Sequence, residues 1–463
     1  TYRKMAEETV NRAAALAVMV RLDWKYALHL PLAWKGFHFT NLSHFRLRLI
    51  EHEAEYLVFD RLVSKLVELG FVRRRGPQRT DSTKILGQVA NLSRLEMVRE
   101  TIRVTVRALV ESDAVWSQGA LPEAFRQEYL SGQHSYQLSQ TEVVKALRQV
   151  GADGFWLLQQ VDQGPSALQA LSKVETMRAV WDQQFEIDEQ GQYRRPRTKV
   201  DPHDLIQSPH EPEVRYRQKR GKGWQGYVAQ VTETAEEKGE ANFITDVAAT
   251  DAQVSDVNAL PEIQARLAER DVPPEEQYVD QAYLSGTRLA ESAEAGIDLI
   301  GPIAQENGPC EFKLSDFAVD VEQRQATCPG GQEAVRWTVS RRSDGSLAFT
   351  AYFGGQCATC SLRPRCTTAA QGRTITIHEH HDLVVARREE METAEFWQRM
   401  KRRPPIEGTI SQVMRQGARR ARYRGQRKVN LQLVFTAVAV NLKRLLNAWA
   451  QGRNPRWQAA TVG

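Results

Sequence analysis

The sequence lacks a long hydrophobic run, a signal-peptide pattern and any tandem repeat. Its most apolar early stretch, residues 13–20, is too short to cross a membrane and is followed by Arg21 and Asp23. No secretory pattern follows Thr1, so the cytoplasm is the expected location, although a preceding segment is an open alternative because the first residue is not Met.

A strong excess of one charge is also absent. The 62 Lys and Arg residues nearly balance 57 Asp and Glu residues, which leaves a net charge of +5. The distribution is more informative, because the basic residues gather in a few short stretches. The 463 residues are 41% hydrophobic, which excludes a mostly disordered chain and allows about two to four domains.

Cysteine is scarce, and four of the five cysteines are clustered. Cys357 and Cys360 form a CxxC pair, with Cys328 before it and Cys366 after it. Four thiolates at turn-type spacing suit a closed tetrahedral zinc site in a reducing compartment, so we predict a structural zinc ion. Buried free thiols are one alternative and an iron–sulfur cluster is another. Cys310 is left over and is expected to be a small apolar residue.

Apolar periodicity and turn residues divide the chain into six predicted segments. They are an N-terminal helical domain (1–75), the first strand and helix of an α/β core (76–103), a helical insertion (104–185), the core continued (186–303), an inserted small β domain with the four-cysteine cluster (304–380), and C-terminal helices completing the core (381–463). The first segment is either a DNA-binding domain or a helical cap on its neighbour.

The order of elements in the core predicts its fold. Strands are expected at 80–86, 224–232, 242–247, 277–280 and 299–303, with helices at 257–270 and 287–295 and a loop over 201–226. Strand, strand, strand, helix, strand, helix, strand is the order of an RNase H-like α/β core. We therefore predict a mixed five-stranded sheet with Asp81 on its first strand and Asp280 on its fourth.

Two aspartates occur in apolar strand contexts where an unpaired charge is costly. These are Asp81 and Asp280. Two-metal phosphoryl chemistry needs about three carboxylates that converge on one edge of a sheet. Each aspartate alone is better explained as a strand-end residue that caps a turn.

Glu407 is the candidate for a third carboxylate. It follows Pro405, a residue suited to the first turn of a helix, and Ile406, Ile410, Val413 and Gly417 form an apolar stripe beside it. The helix dipole favours an ionised carboxylate in this turn. The alternative is a first-turn Glu that only caps the helix.

Two basic stretches are interleaved with aromatic residues, as phosphate-binding segments often are. The predicted DNA-contact residues of the two stretches are Arg215, Arg217, Lys219, Arg220, Lys222, Arg415, Arg419, Arg420, Arg422, Tyr423, Arg424 and Lys428. Tyr283, which lies outside both stretches, is also a predicted DNA contact. Such side chains neutralise phosphates and fix register on DNA without reading its sequence. The alternative for each stretch is a solvated face.

Motifs along essentially the whole chain resemble the DDE transposases of bacterial insertion sequences, in the insertion-sequence-four group and its eleven-eighty-two branch. The resembling stretches are residues 22–28 and 45–49, the first-Asp strand 80–83, the second-Asp motif 279–285, Arg403 with Glu407 four residues later, and residues 419–425 with Lys428 and 441–445. The resemblance implies catalytic residues Asp81, Asp280, Glu407 and Arg403, with two Mg²⁺ or Mn²⁺ ions bound by the three carboxylates.

It further implies cleavage and strand transfer at insertion-sequence ends. The expected partners are double-stranded DNA, as terminal inverted repeats and target, and a second copy of the chain in a homodimer. A bacterial, nucleoid-associated cytoplasmic location follows.

Several positions depart from the family pattern. Met400 stands where the family usually has Tyr, and Met414 where it has Lys, with Arg415 adjacent. Val228 and Gln230 replace a Lys and a His. A loop that is usually rich in Asp has the sequence His-Glu-Pro-Glu at residues 210–213. The departures at Met400, Met414 and Val228 motivate an alternative, a DNA-binding protein derived from a transposase that has lost catalysis. A nuclease without strand transfer is a second alternative.

Overall fold

The computed structural model describes residues 2–87, 93–131, 139–187, 193–196, 205–219, 221–237, 239–306, 310–342 and 345–452. Its helices are α1 (Tyr2–Val20), α2 (Leu22–Ala27), α3 (Thr40–Glu51), α4 (Leu57–Glu68), α5 (Arg94–Ser112), α6 (Ala114–Ala120), α7 (Glu123–Leu130), α8 (Gln140–Asp162), α9 (Ser166–Gln169), α10 (Ser172–Gln184), α11 (Asp256–Glu269), α12 (Gly286–Glu294), α13 (Arg363–Cys366), α14 (His381–Met391), α15 (Ala394–Met400), α16 (Ile406–Val413) and α17 (Gln426–Ala450).

The strands are distributed among these helices along the chain. They are β1 (Gln78–Leu86), β2 (Phe185–Ile187), β3 (Tyr193–Pro196), β4 (Arg215–Lys219), β5 (Lys222–Thr234), β6 (Ile244–Asp251), β7 (Glu276–Tyr278), β8 (Asp298–Ile300), β9 (Ala318–Asp320), β10 (Gln325–Thr327), β11 (Arg336–Arg341), β12 (Leu347–Tyr352) and β13 (Thr374–His378).

The central sheet is mixed and places β1 in its middle. β1 pairs antiparallel with β5 and parallel with β7, while β8 extends the sheet parallel to β7 and β6 pairs antiparallel with β5. The resulting order β6-β5-β1-β7-β8 is consistent with an RNase H-like core. β4 adds a sixth strand, because it pairs with the first residues of β5.

The largest hydrophobic core joins this sheet to the first and last helices of the chain. β5 and β6 are buried over almost their whole length after Gly226, as expected for strands covered on both faces. Helix α17 is long and apolar enough to span a membrane by length and composition. Here its buried face packs on the sheet, and its Asn441 amide donates to the Ile244 carbonyl at 2.8 Å.

Helices α5 to α10 enclose a separate hydrophobic core. Capping boxes, in which a serine and a glutamate three residues later satisfy each other's backbone N–H, begin its two longest helices at Ser93 and Ser139. Trp181 fills the centre of this core, and its indole ring lies so close to Gly154 that a Cβ there would be 1.8 Å from the ring.

A third core lies among the short strands that follow the central sheet. β11, β12 and β13 form an antiparallel sheet, and β9 pairs with β10. Phe317, Phe349 and Phe353 are buried between them. That residues 304–380 form an inserted domain stays a prediction.

Two predictions about the core strands were wrong in detail. The interval 201–226 is not a continuous loop, because β4 and the start of β5 form a hairpin in which Arg217 pairs with Trp224. Gly221 has a φ of 74° and makes the tight reversal between them. Asp280 does not lie in a strand, since β7 ends at Tyr278.

Candidate active site

Asp81 occupies the middle strand of the central sheet. It lies opposite Val231 of β5, and its side chain is 13% exposed. The Ser82 backbone N–H donates to Oδ1 at 2.7 Å, and the other carboxylate oxygen accepts from Arg403 at 2.6 Å. Asp81 is thus a nearly buried carboxylate held by one cationic side chain.

Asp280 follows the neighbouring parallel strand and has two roles. Oδ1 accepts from the Ala282 N–H at 2.9 Å and caps the short turn Gln281–Tyr283, which is the structural role proposed as its alternative. Oδ2 lies 3.8 Å from the same Arg403 nitrogen that contacts Asp81. Capping one turn therefore leaves the second oxygen free to face Arg403.

Arg403 and Glu407 complete the cluster from the C-terminal segment. Arg403 NH1 lies 3.5 Å from Glu407 Oε1, and the Glu407 side chain is 71% exposed in the second residue of α16. Ile406, Ile410 and Val413 are buried against the sheet as the stripe predicted. The chain thus brings residues 81, 280 and 407 around one guanidinium group.

The electrostatics at Asp81 follow from its burial. Loss of solvation raises the pKa of Asp81 to about 6, opposed by Arg403 and the Ser82 N–H and reinforced by Asp280 and Asp256. Carboxylates gathered in a low-dielectric site repel one another, so a cation is needed to keep them ionised together. Arg403 supplies that positive charge in this structure.

A metal site is not preformed in the described ranges. Among those residues, no group of three or more His, Cys, Asp or Glu side chains is placed to hold an ion. The donor set nevertheless fits a divalent cation, because three hard carboxylates already surround one positive charge. One buried atom, Arg403 Nε, has no hydrogen-bond partner, so the present arrangement does not satisfy the whole guanidinium.

Tyr283 does not belong to a DNA-contact surface, contrary to the prediction. Its side chain is fully buried, and its hydroxyl donates to Gln230 Oε1 at 2.5 Å. Burial raises the pKa of Tyr283 well above its usual value, with Asp256, Asp81 and Asp280 acting in the same direction. Tyr283 therefore lies inside the core, close to the carboxylates. In the sequence, only its apolar neighbours Ala and Leu indicate that it is buried.

Asp256 is a nearby acid that the sequence did not single out. It is 2% exposed at the start of α11, and Gln230 donates to its Oδ1 at 3.5 Å. The one sequence signal for Asp256 is its position directly after Ser255, which is typical of an acidic residue in the first turn of a helix.

Four of the departures from the family pattern fall at buried positions. Met400 packs with Tyr278 and Phe396, and Met414 lies in the main core. Val228 and Gln230 are buried in β5. These four side chains contribute to packing and do not form part of the exposed surface.

The second basic stretch is exposed beside the end of β1. Met414–Ala418 forms a π-helical turn in which Gly417 has a φ of 110°, and the chain then pairs briefly with β1 through Leu86 and Arg420. The exposed basic residues of this stretch are Arg415, Arg419, Arg420, Arg422, Arg424 and Lys428. Tyr423 is half-buried, with the Arg46 guanidinium 5.8 Å from its ring centre.

The first basic stretch forms the β4–β5 hairpin. Arg217 donates to the carbonyls of Ala252 and Val254 at 3.0 and 3.1 Å, and Arg215 donates to the Pro212 carbonyl, so both anchor the hairpin. Lys219 and Lys222 at its tip are exposed, and Lys219 Nζ lies 3.9 Å from Asp256. Arg220 lies outside the described residues.

The four clustered cysteines line one small cavity next to the third core. Cys328, Cys357, Cys360 and Cys366 share this cavity of about 20 Å³, roughly the volume of one water-sized particle. Gly330 has no side chain, and a Cβ there would be 3.6 Å from the Cys328 sulfur and 3.4 Å from the Cys360 sulfur. The structural zinc stays a prediction, because the described sulfurs are not arranged as a ligand set.

We expect purified protein to contain close to one zinc ion per chain and Cys360→Ser to lower that content. Zinc binding couples to folding, so the substitution should also make residues 310–380 more sensitive to protease. Cys310→Ser is the matched control, since Cys310 lies outside the cavity. Zinc-free protein with four reactive thiols, measured by elemental analysis and thiol titration, contradicts the prediction.

Comparison with known proteins bears on one part of the chain. Residues 327–446 match the family model of a transposase DDE domain. No match was found among the curated proteins or among the solved structures. The matched segment includes the cysteine cluster, Arg403, Glu407 and the second basic stretch. It supports a DDE transposase, while the insertion-sequence-four group and its eleven-eighty-two branch stay a prediction.

Proposed function

We propose that the chain is a DNA transposase that cleaves insertion-sequence ends and transfers them to a target by two-metal phosphodiester chemistry. The observation that carries this proposal is the convergence of Asp81, Asp280 and Glu407 on Arg403 from three distant segments. The match to a transposase DDE domain supports it independently for the segment that contains Arg403 and Glu407.

The three carboxylates would hold Mg²⁺ or Mn²⁺. Asp81 is fixed in the middle strand, Asp280 is fixed by its turn, and Glu407 is exposed and free to turn toward them. When bound, two such ions activate the attacking oxygen and stabilise the leaving oxygen.

The proposed reaction has two displacements at phosphorus. Water attacks a phosphodiester at the transposon end, the P–O3′ bond breaks, and a 3′-hydroxyl is released. That hydroxyl then attacks a phosphodiester of the target, which forms a new P–O bond and frees a target 3′-hydroxyl. The first step consumes one water and one phosphodiester linkage, whereas the second exchanges one phosphodiester linkage for another.

Arg403 would exchange one anion for another during this cycle. In the present structure its guanidinium neutralises carboxylates, and its Nε has no partner. Cations bound by the carboxylates would make that pairing unnecessary. Arg403 is then placed to donate to a scissile phosphate, which arginine binds well through parallel N–H groups.

The exposed basic residues after α16 and the tip of the β4–β5 hairpin would bind the DNA backbone. The second stretch joins the sheet at Leu86, five residues after Asp81, or about 17 Å along the strand. One DNA duplex could therefore contact both this stretch and the carboxylates.

Changing Arg419, Arg420 and Arg422 together to Ala should weaken binding to all duplex sequences and flatten the salt dependence. Each lost phosphate contact lowers the slope of log K against log salt by about 0.9. Filter-binding titrations at several salt concentrations measure both quantities. Alanines at the exposed residues Arg107, Lys145 and Arg148 of the helical insertion are the control. An unchanged slope in the first variant would identify its arginines as a solvated face.

A DNA-binding protein without catalysis is not favoured. Its motivation is the set of departures at Met400, Met414 and Val228, and these are core positions. The acidic residues and Arg403 are all present. A homodimer that pairs two DNA ends, and a bacterial nucleoid-associated location, are part of the proposal.

Incubation with DNA that carries the flanking terminal inverted repeats tests the proposal. With Mg²⁺, we expect products with free 3′-hydroxyl ends on a sequencing gel, followed by joined products when target DNA is added. Asp81→Asn should give neither. Binding of the ends without any Mg²⁺-dependent product contradicts the proposed function, and cleavage without joining indicates a nuclease.

A further inference from the structure

A buried ion-pair network lies beneath the candidate active site. Glu233 is fully buried in β5 and stands directly opposite Arg79 of β1. Its Oε1 lies 2.7 Å from Arg79, and its Oε2 lies 2.8 Å from Arg444 of α17. One carboxylate without solvent contact thus joins two strands and the last helix.

The network contacts the segment of Arg403 and Glu407 at two points. Arg79 NH1 also donates to the Arg402 carbonyl at 2.9 Å. Thr409 Oγ1 donates to Glu233 Oε2 at 2.6 Å and accepts from Arg444 at 2.6 Å. Arg402 directly precedes Arg403, and Thr409 follows Glu407 by two residues, so these two contacts bracket both site residues.

The same network is tied to Asp81 through β1. Residues 79 and 81 are two apart on one strand, so their side chains leave the same face, separated by about 6.6 Å. The Arg79 contact with Arg402 therefore sets where the α15–α16 connection lies along β1. Site residues must be held within about 0.5 Å to act together, and the two brackets supply this restraint.

Stability alone is a weak explanation for such a network. Replacing a buried ion pair by well-packed apolar side chains is often neutral or stabilising, because desolvation offsets the attraction. Glu233 and Thr409 also cannot contact DNA directly, since they are 0% and 4% exposed. Their placement beside the candidate metal ligands is the feature that distinguishes them.

We infer that Glu233 and Thr409 are positioning residues that hold Arg403 and Glu407 in register with Asp81, and so set the affinity of the site for divalent cations. The inference rests on the proposed function for the identity of the site. Residues that orient metal ligands without touching the ion commonly change metal affinity or activity by about 10- to 100-fold when replaced.

Calorimetric titration of the full chain with Mn²⁺ alone tests this inference. Asp81→Asn first identifies the heat that belongs to this site. Thr409→Val should raise the Kd of that site by about 10- to 100-fold, while Thr409→Ser, which keeps the hydroxyl, should stay within about twofold of the parent. Glu233→Gln keeps the side-chain volume and should raise the Kd as Thr409→Val does.

A second titration separates positioning from folding. Thr101 is fully buried in the helical insertion, and its hydroxyl donates to the Met97 carbonyl at 2.8 Å. Thr101→Val should leave the Mn²⁺ Kd unchanged, whatever its effect on thermal unfolding in EDTA. Parent-like Kd values in both Thr409→Val and Glu233→Gln overturn the inference, as does Mn²⁺ binding that Asp81→Asn leaves intact. A chain that binds Mn²⁺ through Asp81 and does not cleave DNA overturns only the proposed function.

Discussion

Glu407→Gln is expected to reduce Mg²⁺-dependent cleavage of transposon-end DNA by about three orders of magnitude or more. The amide cannot replace a charged oxygen ligand, and bound cations contribute several kcal/mol to charge stabilisation in the transition state. The fold should persist, because Glu407 is 71% exposed and its contact with Arg403 is 3.5 Å long. Cleavage is followed on gels, and DNA binding by filter retention should stay near that of the parent.

Glu395→Gln is the matched control for this experiment. Glu395 is also an exposed acid in the first turn of a short helix, α15, and it lies outside the carboxylate cluster. It should leave cleavage unchanged. Near-parent cleavage by Glu407→Gln would show that the site is completed without this carboxylate. Glu211 and Asp246 are unsuited to that task, because Tyr227 binds the first at 2.7 Å and two arginines hold the second.

Asp246→Ala is expected to lower the free energy of unfolding by about 3–5 kcal/mol, since it leaves buried charges unpaired. Asp246 is fully buried in β6 and binds Arg266 at 2.7 Å and Arg270 at 2.6 Å. Arg270 also binds Asp60 of α4 at 2.6 Å. The substitution therefore removes ion pairs that attach both α11 and α4 to the sheet. Denaturant titration followed by tryptophan fluorescence measures the resulting change in the free energy of unfolding.

Glu262→Ala is the control for the buried network. Glu262 lies 3.9 Å from the same Arg266, yet its side chain is 75% exposed. An exposed pair of this kind contributes little to stability, so the loss should stay below about 1 kcal/mol. Equal losses in the two variants would show that the Asp246 network does not join the helices to the sheet.

The sequence predicted elements with strong periodicity and missed contacts between distant residues. Ile406, Ile410 and Val413 identified the buried face of α16 because helical spacing is local. Asp81 was assigned correctly to β1 because an apolar run surrounds it. The sequence does not predict the β4–β5 hairpin, because its basic, glycine-containing residues show no clear alternation of polar and apolar side chains. In the structure, Arg217 pairs with Trp224 across this hairpin.

The candidate site was predicted through the resemblance, and its supporting residues were not. Nothing local distinguishes Glu233, whose importance comes from Arg79, Thr409 and Arg444 meeting it in space. Tyr283 was misassigned to the DNA surface because a tyrosine in a motif does not reveal whether it is buried. The role of Glu233 and the burial of Tyr283 both depend on contacts with residues far away in the sequence.

The most direct test is a crystal structure of the chain with transposon-end DNA and Mn²⁺, in which anomalous scattering locates the ions. The account predicts Mn²⁺ bound by carboxylate oxygens of Asp81, Asp280 and Glu407 at about 2.1 Å, the distance typical of the similar Mg²⁺ ion, with Arg403 turned to the scissile phosphate. Mn²⁺ located elsewhere, or DNA bound on a face away from these carboxylates, would contradict it.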